Sequence, residues 1–166
     1  MVKGVDRTER EISAGAVIFR REGKLIKFLL LYHGRGYWNF PKGKIEKGER
    51  SFQTFLREVK EETGISQKEV RIIPGFRVTD KYVFFRSKKP IFKIVIFYLV
   101  ETKKRKIEVS EEHDGYAWFL PKDAVTISKF KNSKRILNNA YEFVNKRHAK
   151  QISNSGIRGG KTHSTG

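Results

Sequence analysis

The first hundred residues alternate between apolar runs and short polar turns. Residues 11–21 and 24–33 are rich in β-branched, leucine and aromatic side chains, and only Glu22 and Gly23 separate them, which predicts two strands joined by a turn. Further segments have the composition of strands: residues 38–40, 70–79, 81–86, 91–101 and 115–121. Because proline cannot donate a hydrogen bond to a sheet, Pro74 predicts a bulge or break in its strand.

Helical spacing is clearest in residues 51–63. Apolar side chains recur there at i, i+3, i+4 and i+7, which predicts a helix that buries Phe52, Phe55, Leu56 and Val59. Gly64 follows as the left-handed residue that commonly ends a helix. Residues 121–125 predict the start of a small helix, and residues 129–147 predict a longer one.

The composition changes near residue 150. From there the sequence is rich in glycine and serine, poor in apolar residues and without an acid. We therefore predict a disordered basic C-terminal tail at 150–166 and one folded domain at 1–149. At 166 residues the chain is long enough for a domain of that size to bury a substantial core.

The charge balance is strongly basic. The chain has 36 Lys and Arg against 18 Asp and Glu, a formal net charge of +18 at pH 7. This excess favours polyanionic partners, so RNA is a possible partner through the basic surface; a role in solubility alone is the alternative.

The chain has no cysteine, which excludes disulfides and thiolate metal sites and suits a cytoplasmic protein. The longest apolar run, residues 94–100, is far short of the roughly 20 residues that cross a bilayer, so we expect no membrane contact.

Three glutamates crowd the predicted helix despite this basic composition. Glu58 and Glu62 are one turn apart and Glu61 is close by, so like charges meet at a cost of roughly 0.2–0.5 kcal/mol per pair. A solvated acidic helix face is one explanation of this cluster. The other is a magnesium site, since Mg²⁺ prefers oxygen ligands and binds one or two carboxylates together with substrate phosphates.

The residues around these glutamates favour the second explanation. In order, the sequence has Gly43, five residues, Glu49, seven residues, then REV at 57–59, one residue, EE at 61–62, one residue, and GI at 64–65. This spacing resembles a complete Nudix box. The resemblance implies an α/β fold in which a mixed β-sheet lies between α-helices, and hydrolysis of a nucleoside diphosphate linked to another group.

The resemblance also implies roles for individual residues. Glu58 and Glu62 would be the main metal ligands, Glu61 would assist, and the carbonyl of Lys42 matches a position that often adds a ligand. Arg57 and Glu49 match the pair that braces the loop against the helix; Arg57 therefore belongs to the candidate catalytic set. Gly43 would let the backbone approach the metal closely.

The flanking segments resemble asymmetric diadenosine tetraphosphate hydrolases. The match is carried by residues 37–49, by GF followed by a tyrosine and a lysine-containing strand in 72–101, and by SEEHDGYAW at 110–118. This implies that Glu112 lies near the metal as base or further ligand, although Glu111 beside it is a competing candidate. Substrate contacts are implied for Lys42, Gly43, Tyr82, Lys93, His113 and Phe130. His113 could instead fix its loop, Lys93 could be an ordinary strand residue, and Phe130 could be a core residue.

These observations lead to one hypothesis and two alternatives. The hypothesis is a monomeric, Mg²⁺-dependent enzyme, with Mn²⁺ as a possible substitute, that splits diadenosine tetraphosphate into ATP and AMP. The first alternative is an RNA 5′-end pyrophosphohydrolase or decapping enzyme of the same superfamily. The second is a non-catalytic Nudix-fold module that only binds nucleotides.

Overall fold

The structure is a computed structural model and describes residues 8–158. Its strands are β1 (Glu9–Glu22), β2 (Leu25–Tyr32), β3 (Trp38–Asn39), β4 (Lys42–Lys44), β5 (Val70–Arg86), β6 (Lys89–Thr102) and β7 (Gly115–Phe119). Its helices are α1 (Ser51–Thr63), α2 (Pro121–Ile127) and α3 (Lys131–Arg158), with a 3₁₀ turn at Gln67–Glu69. None of the helices in this described part is long and apolar enough to span a membrane.

The strands form one mixed sheet with the order β3-β2-β1-β6-β5. The central pair, β1 and β6, runs parallel from Glu9 opposite Ile91 to Phe19 opposite Glu101, and the other pairings are antiparallel. β5 is a single strand where the sequence predicted two. Its pairing with β6 is irregular between Ile72 and Arg77, so the bulge or break predicted at Pro74 is confirmed.

Helices cover both faces of the sheet. Along β1, Val17 and Phe19 pack in the cluster that includes α2 and α3 residues, whereas Ala16 and Ile18 pack in the cluster that includes Phe55 of α1. Because successive side chains of a strand point to opposite faces, α1 lies on one side of the sheet and α2 and α3 lie on the other. The expected α/β fold, a mixed sheet between helices, is confirmed.

The first half of β1 pairs with β4, and this pairing positions the acidic helix. Gly15 lies opposite Lys42, and a Cβ atom on Gly15 would lie only 2.4 Å from the carbonyl oxygen of Pro41. Glycine therefore allows the loop to cross close to the strand at this point. The chain then turns from β4 into α1, which ends at the left-handed Gly64 as predicted.

Two expectations need correction. Phe52, predicted to be buried, is 42% exposed, because it lies in the first turn of α1, where its ring meets Phe55 and Tyr98 only edge-on at the border of the sheet. The tail predicted to be disordered from residue 150 is helical as far as Arg158, because α3 continues past residue 147. Residues 148–155 contain neither glycine nor proline, so no strong helix breaker ends α3 there. The rest of the predicted tail, residues 159–166, lies outside the described residues.

Candidate active site

Two buried carboxylates face the loop before α1. The Glu58 and Glu62 residues are 8% and 7% exposed, whereas Glu61 is exposed. The backbone N–H of Lys42 donates to Oε2 of Glu62 over 3.0 Å, and a Cβ atom on Gly43 would lie 1.8 Å from Oε1 of Glu58. Only glycine at position 43 therefore leaves room for the Glu58 carboxylate, and burial raises the pKa of both Glu58 and Glu62.

Arg57 holds this loop and helix together. Its Nε donates to Oε1 of Glu49 over 2.7 Å, its Nη1 donates to Oε1 of Glu58 over 2.6 Å, and its Nη2 donates to the Lys44 carbonyl oxygen over 3.1 Å. Hydrogen bonds from Arg57 and Thr54 lower the pKa of Glu49 to about 2. Arg57 thus connects Glu49 of the loop, the β4 backbone and the buried carboxylate of Glu58.

The loop before β7 brings a third acid to the same place. Glu62, Glu112 and His113 each offer one ligand atom, and these atoms lie within 4.8 Å of one another. Glu111, one residue earlier, does not belong to this group of described residues. Nε2 of His113 is 3.4 Å from Oε1 of Glu62, and neither ring nitrogen of this buried histidine has a hydrogen-bond partner. Burial lowers the pKa of His113, which favours the neutral ring.

His33 also belongs to this site, although no pattern in the sequence indicated it. Its ring meets that of His113 edge-on at 4.4 Å between centroids. Burial is the main cause that lowers the pKa of His33 to about 4, with further contributions from His113 and Lys42. The glycine-rich loop after β2 carries it, but only the tertiary fold brings that loop to the segment at 110–114.

This arrangement fits a divalent cation. Glu58 and Glu62 are buried together, and burial raises the pKa of both carboxyl groups even though Arg57 donates to Glu58, so a further cation beside them would favour their charged forms. The ring nitrogens of His113 are buried without partners beside them, and Gly43 leaves the carboxylate of Glu58 an open approach to the backbone. A hard cation with oxygen ligands supplies the missing positive charge.

A cavity of about 300 Å³ lies beside the carboxylates. Polar, aromatic and two aliphatic side chains line it: Tyr37, Asn39, Lys42, Asp80, Tyr82, Val83, Phe84, Val95, Phe97, Phe130, Asn132 and Ser133. Phe130 is 49% exposed, and its ring meets Tyr37 edge-on at 5.6 Å between centroids. Burial lowers the pKa of the Lys42 amine. Lys42, Tyr82 and Phe130 thus line one cavity, and the sequence did not indicate Tyr37, Asn39, Asp80 or Asn132.

Lys93 lies next to this cavity but is not among its described lining residues. It is opposite Tyr82 in the sheet, and its Nζ lies 2.7 Å from Oε1 of the buried Glu11. Arg86 donates to the other oxygen of Glu11 over 3.0 Å. The Lys93 amine therefore already has an anionic partner, and its contact with a substrate phosphate stays a prediction.

The described geometry agrees with comparisons to known proteins. The asymmetrical bis(5′-nucleosyl)-tetraphosphatase of Sus scrofa is 39% identical over 142 residues, which cover 80% of this chain and 94% of that protein. An RNA pyrophosphohydrolase of Vibrio vulnificus is 31% identical over 127 residues, which cover 69% of this chain and 73% of that protein. Among solved structures, a Caenorhabditis elegans Ap4A hydrolase in a binary complex matches with a TM-score of 0.72 at 28% identity, covering 81% of this chain and 97% of that one.

The family assignment rests on a match that spans most of the domain. A model of the NUDIX domain family matches residues 9–140, from the start of β1 into α3. The segment includes α1, which carries the buried carboxylates, together with β4 and the loop before β7, which lie beside them. The chain therefore belongs to the NUDIX domain family and is a Nudix hydrolase similar to the asymmetrical bis(5′-nucleosyl)-tetraphosphatases.

Proposed function

We propose that this protein hydrolyses dinucleoside polyphosphates and splits diadenosine tetraphosphate into ATP and AMP. The observation that carries the proposal is the position of Lys42 between the two parts of the site. Its backbone N–H donates to Glu62, while the residue also lines the aromatic cavity. A nucleotide in that cavity would therefore have its phosphates close to the carboxylates. The similarity to tetraphosphatases over most of both chains supports this substrate class.

The cavity suits a single nucleoside. At about 300 Å³ it lies at the small end of the range for ligand sites. The exposed ring of Phe130 offers a flat apolar face for a base, and the side chains of Asp80 and Asn132 offer polar contacts nearby. The amine of Lys42 is a compact positive charge that suits a phosphate oxygen. This order of a base contact followed by a phosphate contact supports the proposal, since a nucleotide presents the two groups in the same order.

The carboxylates Glu58, Glu61 and Glu62, with Glu112 and the carbonyl of Lys42, would hold Mg²⁺, or Mn²⁺ in its place. When bound, such an ion neutralises polyphosphate charge and lowers the pKa of a coordinated water. Arg57 keeps Glu58 in place through its bonds to Glu49 and the β4 backbone. We expect a cytoplasmic monomer, in keeping with a chain that has no cysteine.

Glu112 is the candidate general base. It is exposed on the loop before β7, yet its carboxylate is in the same group as Glu62 and His113. A carboxylate within reach of the attacking water can accept its proton. The buried carboxylates of α1, in contrast, are better suited to binding an ion.

The experiment that tests this proposal is a product assay in ¹⁸O-labelled water with Mg²⁺. It compares diadenosine tetraphosphate with a 5′-triphosphorylated RNA at the same concentration. We expect ATP and AMP from the dinucleotide, with ¹⁸O in one product that identifies the phosphorus attacked, and little reaction of the RNA. Preferential release of pyrophosphate or phosphate from the RNA would instead favour an RNA pyrophosphohydrolase, for which the Vibrio relative and the net charge of +18 are the supporting observations.

A further inference from the structure

One face of β5 is open to solvent along most of its length. Alternate residues of this strand point to the α1 side of the sheet, and every one of them is exposed: Arg77, Thr79, Lys81, Val83 and Phe85. The intervening side chains point to the α3 side and are partly buried: Val78, Asp80, Tyr82 and Phe84. Val83 also lines the cavity of the proposed active site, but the other members of the exposed row do not, and the remaining β5 residues of the cavity, Asp80, Tyr82 and Phe84, point to the α3 side.

The open face continues across β6 and β1. Phe92 lies opposite Val83, Ile94 lies opposite Lys81, and Ile12 of β1 lies opposite Ile94. The apolar side chains here are unusually accessible, since Ile12 is 44% exposed, Val83 is 53% exposed and Phe85 is 70% exposed. Phe92, Ile94 and Ile96, which lie between these residues, are half-buried, so exposed and half-buried apolar side chains share one face of the three strands. Grouped apolar side chains at a surface are a feature of interaction sites.

Helix α1 does not cover this region. It packs over the sheet as far as Tyr98, whose ring contacts Phe55 and the partly exposed Phe52. The strand positions beyond Tyr98 form a surface that we call the sheet platform. It consists of Arg10, Ile12, Arg77, Thr79, Lys81, Val83, Phe85, Phe92, Ile94 and Ile96.

The charges of the sheet platform indicate its occupant. Its charged members are Arg10, Arg77 and Lys81, and none of its strand positions carries an acid. The adjoining turn between β5 and β6 adds Lys88 and Lys89, which are also exposed. A second copy of a chain with a net charge of +18 would bring like charges together at this face, whereas a polyanion would be attracted to it.

The aromatic residues narrow the choice among polyanions. Phe92 pairs directly with Val83, so Phe85, two residues further along β5, lies diagonally across from it. Aromatic rings at neighbouring positions of an open sheet, surrounded by Lys and Arg, are how several RNA-binding domains stack successive bases and hold the backbone. We propose that the sheet platform binds single-stranded nucleic acid, with Phe85 and Phe92 stacking on bases and Arg10, Arg77 and Lys81 contacting phosphates.

This inference goes beyond the proposed hydrolysis of dinucleotides and does not depend on it. Val83 is the one platform residue among the described lining residues of the cavity, and Phe85, Phe92 and the three basic residues lie outside it. The platform can therefore be tested with an RNA that the active site cannot cleave. The probe is a short fluorescein-labelled single-stranded RNA with a 5′-hydroxyl end, and binding is followed by fluorescence anisotropy. We expect Phe85→Ala to weaken binding about tenfold, the usual contribution of one stacked base. Lys81→Gln should lower the slope of log K against log salt by about 1.

Matched controls lie at the opposite end of β1. Leu25→Ala removes an apolar side chain that is 53% exposed, and Lys24→Gln removes an exposed charge in the neighbouring turn. We expect neither control to change the affinity for RNA by more than the removal of one ordinary surface charge does. Phe85→Tyr keeps an aromatic ring and should retain binding, whereas Phe85→Leu keeps the apolar character and should lose it. Turnover of diadenosine tetraphosphate should be the same in Phe85→Ala as in the unchanged protein.

Several results would overturn the proposal. If Leu25→Ala and Lys24→Gln weaken RNA binding as much as the platform variants do, the attraction is non-specific. If Phe85→Leu binds as well as Phe85→Tyr, ring stacking is absent. Binding to vesicles of anionic lipid without binding to RNA would assign the platform to a membrane surface. A concentration-dependent dimer that Phe85→Ala disrupts would assign it to self-association.

Discussion

The carboxylate cluster and the cavity proposed to hold a nucleoside meet at Lys42, but the chain builds them in different ways. Most of the cluster comes from one continuous segment, in which β4 and α1 are joined by a short loop. The cavity draws its walls from four separate parts of the chain, around residues 37–42, 80–84, 95–97 and 130–133. The cluster is crowded and tightly bonded, whereas the cavity has an exposed aromatic wall at Phe130.

This difference predicts that substitutions in the two regions will change different kinetic constants. A substitution that displaces groups in the cluster should slow the chemical step. The buried carboxylates are held by hydrogen bonds and cannot move to another position that keeps their geometry. A change in the cavity wall should act on substrate affinity, because aromatic contacts contribute to binding without touching the reacting phosphorus. The split between kcat and KM therefore separates the two regions experimentally.

The largest effect should come from Glu62→Gln. The amide keeps the size of the side chain but removes the negative charge, so we expect kcat to fall more than about 1,000-fold, in line with the several kcal/mol that a catalytic metal supplies. Steady-state kinetics across a Mg²⁺ titration, together with a thermal melt to verify folding, gives the measurement. Near-normal kcat would remove Glu62 from the metal site.

The next effect separates two adjacent acids. Glu112→Gln should lower kcat about 100-fold, the size expected for loss of a general base, with KM little changed. Glu111→Gln is the matched control, since Glu111 lies outside the group formed with Glu62 and His113. The reverse order of effects would place the functional acid at 111 and contradict the proposed role of Glu112.

A backbone substitution tests the crowding of the cluster. Gly43→Ala places a methyl group where the Glu58 carboxylate lies, and we expect kcat to fall about 10- to 100-fold because small displacements of catalytic groups are costly. Gly115→Ala is a suitable control, since a Cβ atom there would meet no atom within 4 Å and its φ is not in the left-handed region. Equal kcat values for the two variants would show that the loop around Gly43 can move aside without disturbing the Glu58 carboxylate.

The cavity side gives a smaller effect of another kind. Phe130→Ala should raise KM for diadenosine tetraphosphate about tenfold with kcat nearly unchanged, because it removes a stacking surface. Its free energy of unfolding should change by less than about 0.5 kcal/mol, as for other exposed residues. Tyr141→Ala, another partly exposed aromatic of α3, serves as the control and should leave KM unaltered. A large loss of stability in Phe130→Ala would show that the ring is a core residue.

The smallest effect concerns the buried ion pair beside the cavity. Burial alone would raise the pKa of Glu11, but hydrogen bonds from Lys93 and Arg86 outweigh it and lower the pKa below 4.5. The stability that this pair contributes is therefore present above pH 4.5 and is lost as the pH falls through the lowered pKa. Lys93→Gln should be destabilised most near neutral pH, and denaturant unfolding at a series of pH values should show the difference shrinking in acid. A constant difference would show that the pair is not responsible.

The sequence specified the cluster because its chemistry follows a local pattern. Spacing from Gly43 to Gly64 placed Glu58 and Glu62 on one helix, and that helix has the predicted ends. His33, Asp80 and Asn132 could not be found in this way, because each meets the site only through pairing of distant strands or packing of α3. Periodicity also misassigned Phe52, since it shows which side of a helix faces the sheet but not how closely the first turn packs against it.

The parallel pairing of β1 with β6 has a consequence for the order in which the protein forms. The two central strands come from opposite halves of the domain, so a long intervening loop must close before their hydrogen bonds form, and this step should limit the folding rate. The contacts of β1 with β4, and of α1 with both, are closer in sequence. During synthesis the carboxylate cluster can therefore begin to assemble early, whereas the wall at Phe130 arrives only as α3 emerges. Under the proposed function, a nascent chain would acquire the α1 carboxylates that bind the metal before it acquires the cavity wall that contacts the substrate.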